Sequence, residues 1–504
     1  MEKVTATQTG LLADALDAAG HHLPMPCRGR RTCGKCGVYV AGETVPADAH
    51  EAALLARSPQ PELPGYAYRL ACLCRIRGTV AVVTSSIAGV AVADVGMELV
   101  LYDGADPQSL GCAIDIGTTT VTLLLFRLGD RELLAEVSQL NHQVAFGSDV
   151  LSRIDAAATV EPARLQQVIV TQLSAMLDTA AQQAGAQATD ITRLTITGNT
   201  TMLHLLAGLP VKSLGVYPFT PQTLFGETRP ARDVFPDLVN AELYLPPGVS
   251  TYVGPDVVCG LLATGVGSSD QAELLVDVGT NGEMALSVGG RLWCCSTAAG
   301  PAFEGAEISA GMPALPGAIE DVWLDDDGGI GYRTIGRKRP KGICGSGLIS
   351  AVNAFLDANL IDETGAMRGT AIEIGNSGIR LTQTDVRKLQ LAKAAMAAGI
   401  DTLLAEAGMR AEELSVLHLA GGFGSYLSSE SAAGIGLLPR TLIDRVSASG
   451  NAALTGAVLL TLSRDSRQIA EQRAARAEEV ELATHPVFMD RYIEQMTFSD
   501  DDAA

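Results

Sequence analysis

Two stretches of the chain carry one pattern. Leu110–Thr120 reads LGCAIDIGTTT and Leu274–Glu283 reads LLVDVGTNGE. In each, an apolar run ends in Asp, one apolar residue, Gly, Thr and a small polar residue. A continuous apolar run of this length predicts a buried strand, and the glycine-hydroxyl turn after it predicts a hairpin. The acid at the strand end, Asp115 or Asp277, suits a hydrated magnesium ion, which keeps most of its waters and takes one or two carboxylates. Gly117 and Gly279 allow close backbone approach to a phosphate. Thr118, Thr119 and Thr120 in the first copy, and Thr280, Asn281 and Gly282 in the second, offer amide and hydroxyl donors around it. One copy alone would be equally well an ordinary hairpin after a core strand. Two copies 162 residues apart predict a duplicated domain with a nucleotide clamped between its halves.

Between and after the hairpins the chain alternates strands, glycine turns and helices. Helices are expected at about 162–185 and 391–408. The run ITRLTITGNTTMLHLLAGL predicts a strand that enters Gly198-Asn199-Thr200 and then a helix, and a turn of this kind at a helix start is a ready anion site. Asp256 closes the first half. Small residues at 297–302 and the turn in KGICGSGLISAV (341–352) favour close backbone approach to a ligand. LHLAGGFGSYL (417–427) predicts a buried strand ending in Gly421-Gly422-Phe423-Gly424, which would admit the flat face of an adenine and its ribose. The halves are assigned to 110–265 and 266–504, and the charged, helical pattern from 464 to 484 reads as a solvated surface helix.

Residues 1–85 form a separate module. LLADALDAAG (11–20) has helical spacing, whereas 37–45 and 76–83 read as strands. Cys27, Cys33 and Cys36 make a C-x5-C-x2-C loop, and RLACLC at 69–74 supplies a distant cysteine. Three thiolates in one loop plus a lone fourth fit a [2Fe–2S] cluster, whose plant-type spacing is C-x4-C-x2-C with a distant Cys. The longer first gap resembles the adrenodoxin-like variant. Four-cysteine zinc is the rival, although zinc ribbons pair two short knuckles. Cys72 and Cys74, two apart and pointing the same way if on a strand, compete as fourth ligand. Leu70-Ala71-Cys72 resembles the ferredoxin-like pattern and favours Cys72. Arg28, Arg30 and Arg31 ring the loop, either as a dock for an acidic electron partner or as solvated side chains. The ten residues before the helix are few for a full first hairpin. Residues 86–109, rich in Gly and Ala, read as a linker.

Charge and composition narrow the function classes. A net charge of −21, with +2 on residues 1–85 and −23 on the rest, argues against nucleic acid and anionic membranes as partners. MEKVTATQTG contains no apolar run of signal-peptide length, and Thr79–Ala93 is too short to span a bilayer. A cytoplasmic location is expected, where ten cysteines are not a disulfide framework. Cys112, Cys259, Cys294, Cys295 and Cys344 lack ligand spacing and read as buried thiols. His142, His204 and His418 read as core or turn residues.

Taken together, DIGTTTV, GSDVLSRI, GNTTM, DVGTNGE, AAGPAFEGAEI, ICGSG, LAGGFG, IGLLP and GNAALTGA resemble the reductive activators of corrinoid proteins. The resemblance implies an α/β fold: a ferredoxin-like β-grasp [2Fe–2S] module, then a duplicated nucleotide-binding domain of the actin, heat-shock chaperone and sugar kinase (ASKHA) type. It implies a cluster on Cys27, Cys33, Cys36 and Cys72, with ATP and Mg2+ at 115–120 and 277–283 and adenosine at 420–424. It implies ATP-driven reduction of Co(II) to Co(I) on a partner corrinoid protein of a methyltransferase system. A ferredoxin, flavodoxin or reductase would donate the electron, and a homodimer is among the expectations. Two departures stand out: Arg28 and Arg31 replace glycines of the family's cluster loop, and its middle domain is reduced to 86–109. The alternatives are a small-molecule kinase with a regulatory cluster and a nucleotide-sensing electron-transfer adaptor that does not hydrolyse ATP.

Overall fold

The computed structural model describes residues 2–18, 31, 36–56, 65–83, 108–159, 162–325, 327–421 and 427–498. The N-terminal module is a four-stranded antiparallel sheet of β1 (Glu2–Leu11), β2 (Gly37–Thr44), β3 (Ala67–Leu70) and β4 (Arg75–Val83), in the order β1-β4-β2-β3. The ten residues before the helix, too few for a hairpin, make the single strand β1, which pairs with β4. Two helices, α1 (Leu12–Ala18) and α2 (Ala49–Ala56), complete the module. Its core of Leu12, Leu16, Val38, Val40, Leu70, Ile76, Val80 and Val82 is separate from those that follow.

The first half is built on β5 (Leu110–Ile116), β6 (Thr120–Arg127), β7 (Leu133–Leu140), β8 (Ile191–Gly198), β9 (Glu227–Pro230) and β10 (Glu242–Leu245), in the order β7-β6-β5-β8-β10-β9. Strand β5 is apolar up to Asp115 near its end and buried on both faces, as a central strand requires. Helices α3 (Val150–Thr159), α4 (Pro162–Gln183), α5 (Thr200–Leu206) and α6 (Pro255–Thr264) belong to this half. The second half contains β11 (Glu273–Val278), β12 (Gly282–Val288) and β13 (Arg291–Thr297). A small sheet of β14 (Ala318–Leu324), β15 (Ile330–Thr334) and β16 (Gly342–Ile343) follows, then the ribbon of β17 (Ala371–Glu373) and β18 (Arg380–Thr382). Strands β19 (Val416–Ala420), β20 (Val446–Gly450) and β21 (Ala477–Glu479) complete the main sheet, β20-β19-β11-β12-β13-β21.

The two six-stranded sheets repeat one topology. In each, a three-stranded antiparallel meander (β5-β6-β7 and β11-β12-β13) is extended by two parallel strands (β8 and β10, β19 and β20). The expected duplication is therefore present in the backbone. Helices α7 (Gly345–Asp357), α8 (Gln383–Ala407), α9 (Ser429–Gly434), α10 (Ala452–Leu462), α11 (Arg464–Arg476) and α12 (Phe488–Glu494) belong to the second half. The 25-residue α8 opens on a capping box between Thr382 and Asp385 and ends at Gly408, whose φ is 65°.

The helices that follow the last parallel strand of each half, α6 and α10, are exchanged. Ala457, Val458 and Leu462 of α10 pack on Ala113 of β5 and Phe126 of β6, in the first half. Val257 and Leu261 of α6 pack on Leu275, Ala285 and Cys294 in the second. The two helices cross in contact, because a side chain at Gly456 would overlap the carbonyl of Cys259. The tail departs from the expected solvated helix. Its helix ends at Arg476, Ala477–Glu479 adds β21 beside β13, and the buried Arg473 donates to the Leu261 carbonyl at 2.6 Å. Among the described residues no helix is long and apolar enough to cross a membrane.

Candidate functional site

The hairpins β5–β6 and β11–β12 end at one crevice, and a single carboxylate joins them. Thr119 Oγ1 donates to Glu304 Oε2 at 2.6 Å and Thr280 Oγ1 donates to the same oxygen at 2.7 Å. The first turn is tight: the Gly117 amide donates to the Thr120 carbonyl at 2.9 Å, and a Cβ on Gly117 would lie 2.6 Å from that oxygen. Only glycine fits there. Behind the turn, Arg153 of α3 is fully buried and donates to the carbonyls of Thr118 and Gly147. Burial pushes its guanidinium down to about 10, opposed by the charges of Asp149 and Glu304.

Asp115 and Asp277 occupy matching positions near the ends of β5 and β11. Asp115 Oδ2 accepts from Asn451 Nδ2, at the start of α10, at 2.9 Å. Burial pushes Asp115 up to about 6 and Asp277 up to about 7. Two further acids share the crevice. Asp256, in the first turn of α6, is pushed up to about 7 by burial and by the charge of Asp115. Glu283 is the direct cross-strand partner of Asp277, and burial together with Asp256 and Asp277 holds its carboxyl well above the usual range. Among the described residues no three acidic, cysteine or histidine side chains converge as a metal cage. The four acids line a crevice instead, which fits an ion that keeps its waters and touches one or two carboxylates.

The remaining predicted residues divide into those at the crevice and those bracing it. Gly198, with φ 151°, passes so close to Ile116 that a Cβ would lie 2.7 Å from its carbonyl. Asn199 caps α5 through the Met202 amide at 2.9 Å and donates to Thr118 Oγ1 at 3.3 Å. The Thr200 hydroxyl turns away to the Ser250 carbonyl at 2.9 Å. In the second half the Gly279 amide donates to the Asn281 carbonyl at 3.0 Å, and Gly282 packs against Met396. Gly421 has φ 100° and lies against Asp277, where a Cβ would come within 2.9 Å of its Oδ1. Gly422, Phe423 and Gly424 lie outside the described residues. His204 is buried between the Thr200 carbonyl, 2.7 Å away, and the Gln222 amide, 3.1 Å away, a core role as expected. Cys112, Cys259, Cys294, Cys295 and Cys344 are all buried thiols.

In the N-terminal module, Cys27 and Cys33, together with Arg28 and Arg30, lie outside the described residues. Cys36 and Cys72 are neighbours: the Cys72 amide donates to Cys36 Sγ at 3.4 Å. An amide aimed at a sulfur suits a thiolate acceptor, and hydrogen bonds to sulfur are a feature of cluster sites. Strand β3 ends at Leu70, so Cys72 sits in the following turn rather than on a strand. The premise that Cys72 and Cys74 point the same way on a strand is therefore corrected. Cys74 is fully buried in the module's core, and burial pushes its thiol up to about 11. The buried ion pair of Arg69 with Glu51, at 2.7 Å, fixes the turn, since Glu51 Oε1 also accepts the Leu70 amide at 2.9 Å.

Three family models together match most of the chain: a 2Fe-2S iron-sulfur cluster binding domain over 2–77, the RACo middle region over 110–269, and the C-terminal domain of RACo, the ASKHA domain, over 271–504. The chain is similar to the corrinoid activation enzyme RamQ of Eubacterium limosum, 34% identical over 420 residues, which are 77% of this chain and 70% of that protein. The chain belongs to the reductive activators of corrinoid proteins. A second relative, the [Co(II) methylated amine-specific corrinoid protein] reductase of Methanosarcina barkeri, is 28% identical over 427 residues, 77% of each chain. Among solved structures, a reductive activator for corrinoid, iron-sulfur protein superposes with a TM-score of 0.73 at 28% identity, over 99% of this chain and 98% of that one. In this activator the middle-region model falls on the first half of the clamp. The stretch 86–109, read as a reduced middle domain, lies outside the described residues except for 108 and 109.

Asp256, Glu283, Glu304, Asn451 and Arg153 make up most of the crevice that sequence reasoning left without a role. Glu283 was within reach, because a hairpin turn of Gly279–Gly282 pairs it with Asp277. The contacts of Asn451 with Asp115 and of Glu304 with Thr119 span 336 and 185 residues, and no local signal announces them.

Proposed function

We propose that this protein uses ATP to return the inactive Co(II) corrinoid of a partner methyltransferase-system protein to Co(I). The observation that carries the reading is the meeting of two phosphate-type hairpins, each with its acid, in one crevice of a chain that also has a cluster-type module. Asp115 and Asp277 would hold the waters of Mg2+, with Asn451 orienting Asp115. The hydroxyls of Thr118, Thr119 and Thr280 and the amides of both turns would bind the phosphates. Gly421, with Gly422, Phe423 and Gly424, would admit the adenosine. Cys27, Cys33, Cys36 and Cys72 would hold a [2Fe–2S] cluster, which when bound supplies a one-electron relay. A cytoplasmic ferredoxin, flavodoxin or reductase refills it.

Nucleotide is needed because the electron moves uphill. Plant-type [2Fe–2S] centres lie near about −400 mV, and each ~59 mV of unfavourable gap costs about tenfold in equilibrium constant. Closure of the two halves on ATP would alter the docked corrinoid protein so that it accepts the electron more readily. ATP can bias such a clamp only by its different affinity for the open and closed forms. The test follows cobalt absorbance anaerobically with the cognate corrinoid protein and a reductant. Wild type is expected to reach Co(I) only with ATP. Asp277→Ala should keep its visible iron spectrum but lose Co(I) formation by at least about 100-fold, the scale of a lost electrostatic contact to reacting phosphates. Full reduction without ATP, or by Asp277→Ala, would remove the clamp from the mechanism.

A further inference from the structure

The hydroxyls of Thr119 and Thr280 come from different halves, yet both donate to one oxygen, Glu304 Oε2. A threonine hydroxyl has a single hydrogen to give. While it is given to Glu304 it is withheld from a phosphate, and both bonds are short, as expected for a charged acceptor. We propose that Glu304 is a built-in competitor for the phosphate that bridges the two hairpins. On this inference, which rests on the reading of the hairpins as a nucleotide clamp, Glu304 determines which nucleotides the clamp accepts.

Its surroundings fit an anion at that position. Arg153 places a fully buried positive charge behind the first hairpin, and the charge of Glu304 favours it. The same field would favour a phosphate in the carboxylate's place. Glu304 ends the short helical turn Pro301–Glu304, set between Gly300 (φ 80°) and Gly305 (φ 76°). The Gly300 amide donates to the Thr280 carbonyl at 2.9 Å, and Phe303 is fully buried in the second-half core. The turn therefore belongs to the second half and reaches across the crevice through the Glu304–Thr119 bond. A phosphate reaching both hairpins has to break that bond and take over the bridge, because two anions cannot share the two hydrogens. A nucleotide whose last phosphate reaches only one hairpin can leave the bridge in place. Glu304 thus opposes every ligand that spans the crevice and selects for a phosphate chain long and charged enough to displace it.

The experiment measures binding of ATP and ADP, each with Mg2+, to the full-length protein by calorimetry, for wild type, Glu304→Ala and Glu304→Gln. Removing the competitor should tighten ATP binding about tenfold or more, the scale of charge-assisted hydrogen bonds no longer in competition. ADP affinity should change by less than about threefold, and Glu304→Gln, which keeps a weaker acceptor, should fall between. Unchanged or weaker ATP binding by both variants, with wild type binding normally, would overturn the inference and make Glu304 a structural pin or a direct ligand of the nucleotide. An equal gain for ATP and ADP would overturn the selectivity. Failure of wild type itself to bind ATP would overturn the clamp reading as well, so the two failures are distinguishable. If Glu304→Ala does not fold, Glu304→Gln decides alone: tighter ATP binding supports the inference, and unchanged or weaker binding overturns it.

Discussion

Asp256 shows what the crevice does to single side chains. Its carboxyl is pushed up to about 7, Asp277 to about 7 and Asp115 to about 6, with burial as the leading cause in each, and with the charge of Asp115 added for Asp256 and those of Asp256 and Asp115 added for Asp277. A raised pKa means that the folded protein holds protons the unfolded chain releases near pH 4. The associated stability is fully present below the unfolded pKa values and is lost as pH rises through about 6 to 7. Metal-free protein should therefore melt lower at pH 8 than at pH 6 from these groups, and Asp256→Asn should raise the pH 8 melting temperature and flatten the dependence. Calorimetry at fixed ionic strength checks this; a steeper dependence in Asp256→Asn would refute it. Mg2+ with nucleotide should release protons on binding at pH 6.5. Asp115 and Asp277 were legible because each closes its own short motif. The protonation behaviour was not, because it depends on Asp256 and Glu283 reaching the same crevice from a helix start and from the far strand of a hairpin.

Among the elements, α6 and α10 are the pair on which the two halves turn. Both are almost wholly buried, and their backbones approach closely enough that Gly456 has no room for a side chain against Cys259. Gly456→Val should force the helices apart and destabilise the protein by about 1–3 kcal/mol, the usual cost of overpacking a well-filled core. Urea unfolding checks this, with a reduced midpoint at unchanged slope expected. A midpoint equal to wild type would show that the crossing is slack. The strands β5, β11 and β19 follow from their apolar runs, β8 from its Ile, Leu and Thr-rich run into a glycine turn, and α8 from its length and spacing. The exchange of α6 and α10 between halves was not visible, because an apolar helix shows what it must bury but not against which sheet. Nor was β21, a three-residue strand whose charged sequence, AEE, carries no strand pattern and which forms because β13 offers it an edge.

For the whole molecule, the module of residues 2–83 has its own core, and the ion pair of Asp14 with Arg337 at 2.9 Å is an exposed contact from it to the second half. Exposed pairs of this kind contribute about 0–1 kcal/mol. A truncation starting near Leu110 should therefore fold and bind ATP with wild-type affinity, yet reduce no corrinoid, having lost the redox module. Calorimetry and the cobalt assay read the two properties separately, and loss of ATP binding on truncation would show that the module is part of the clamp. The order of modules was legible, since cysteine spacing and hairpin motifs mark them independently. How the clamp's halves interlock was not.

The exchanged helices bear on how such a chain can have arisen. A duplicated gene encodes two copies of one unit, yet neither sheet here is covered only by helices of its own copy. Here each sheet is covered in part by the helix that follows the other copy's last parallel strand: Val257 and Leu261 lie over Leu275, while Ala457 and Val458 lie over Ala113. Such swapping is what two identical subunits do when they form a dimer, and fusion of their genes would preserve it. Neither half of the clamp can therefore bury its sheet fully without the other.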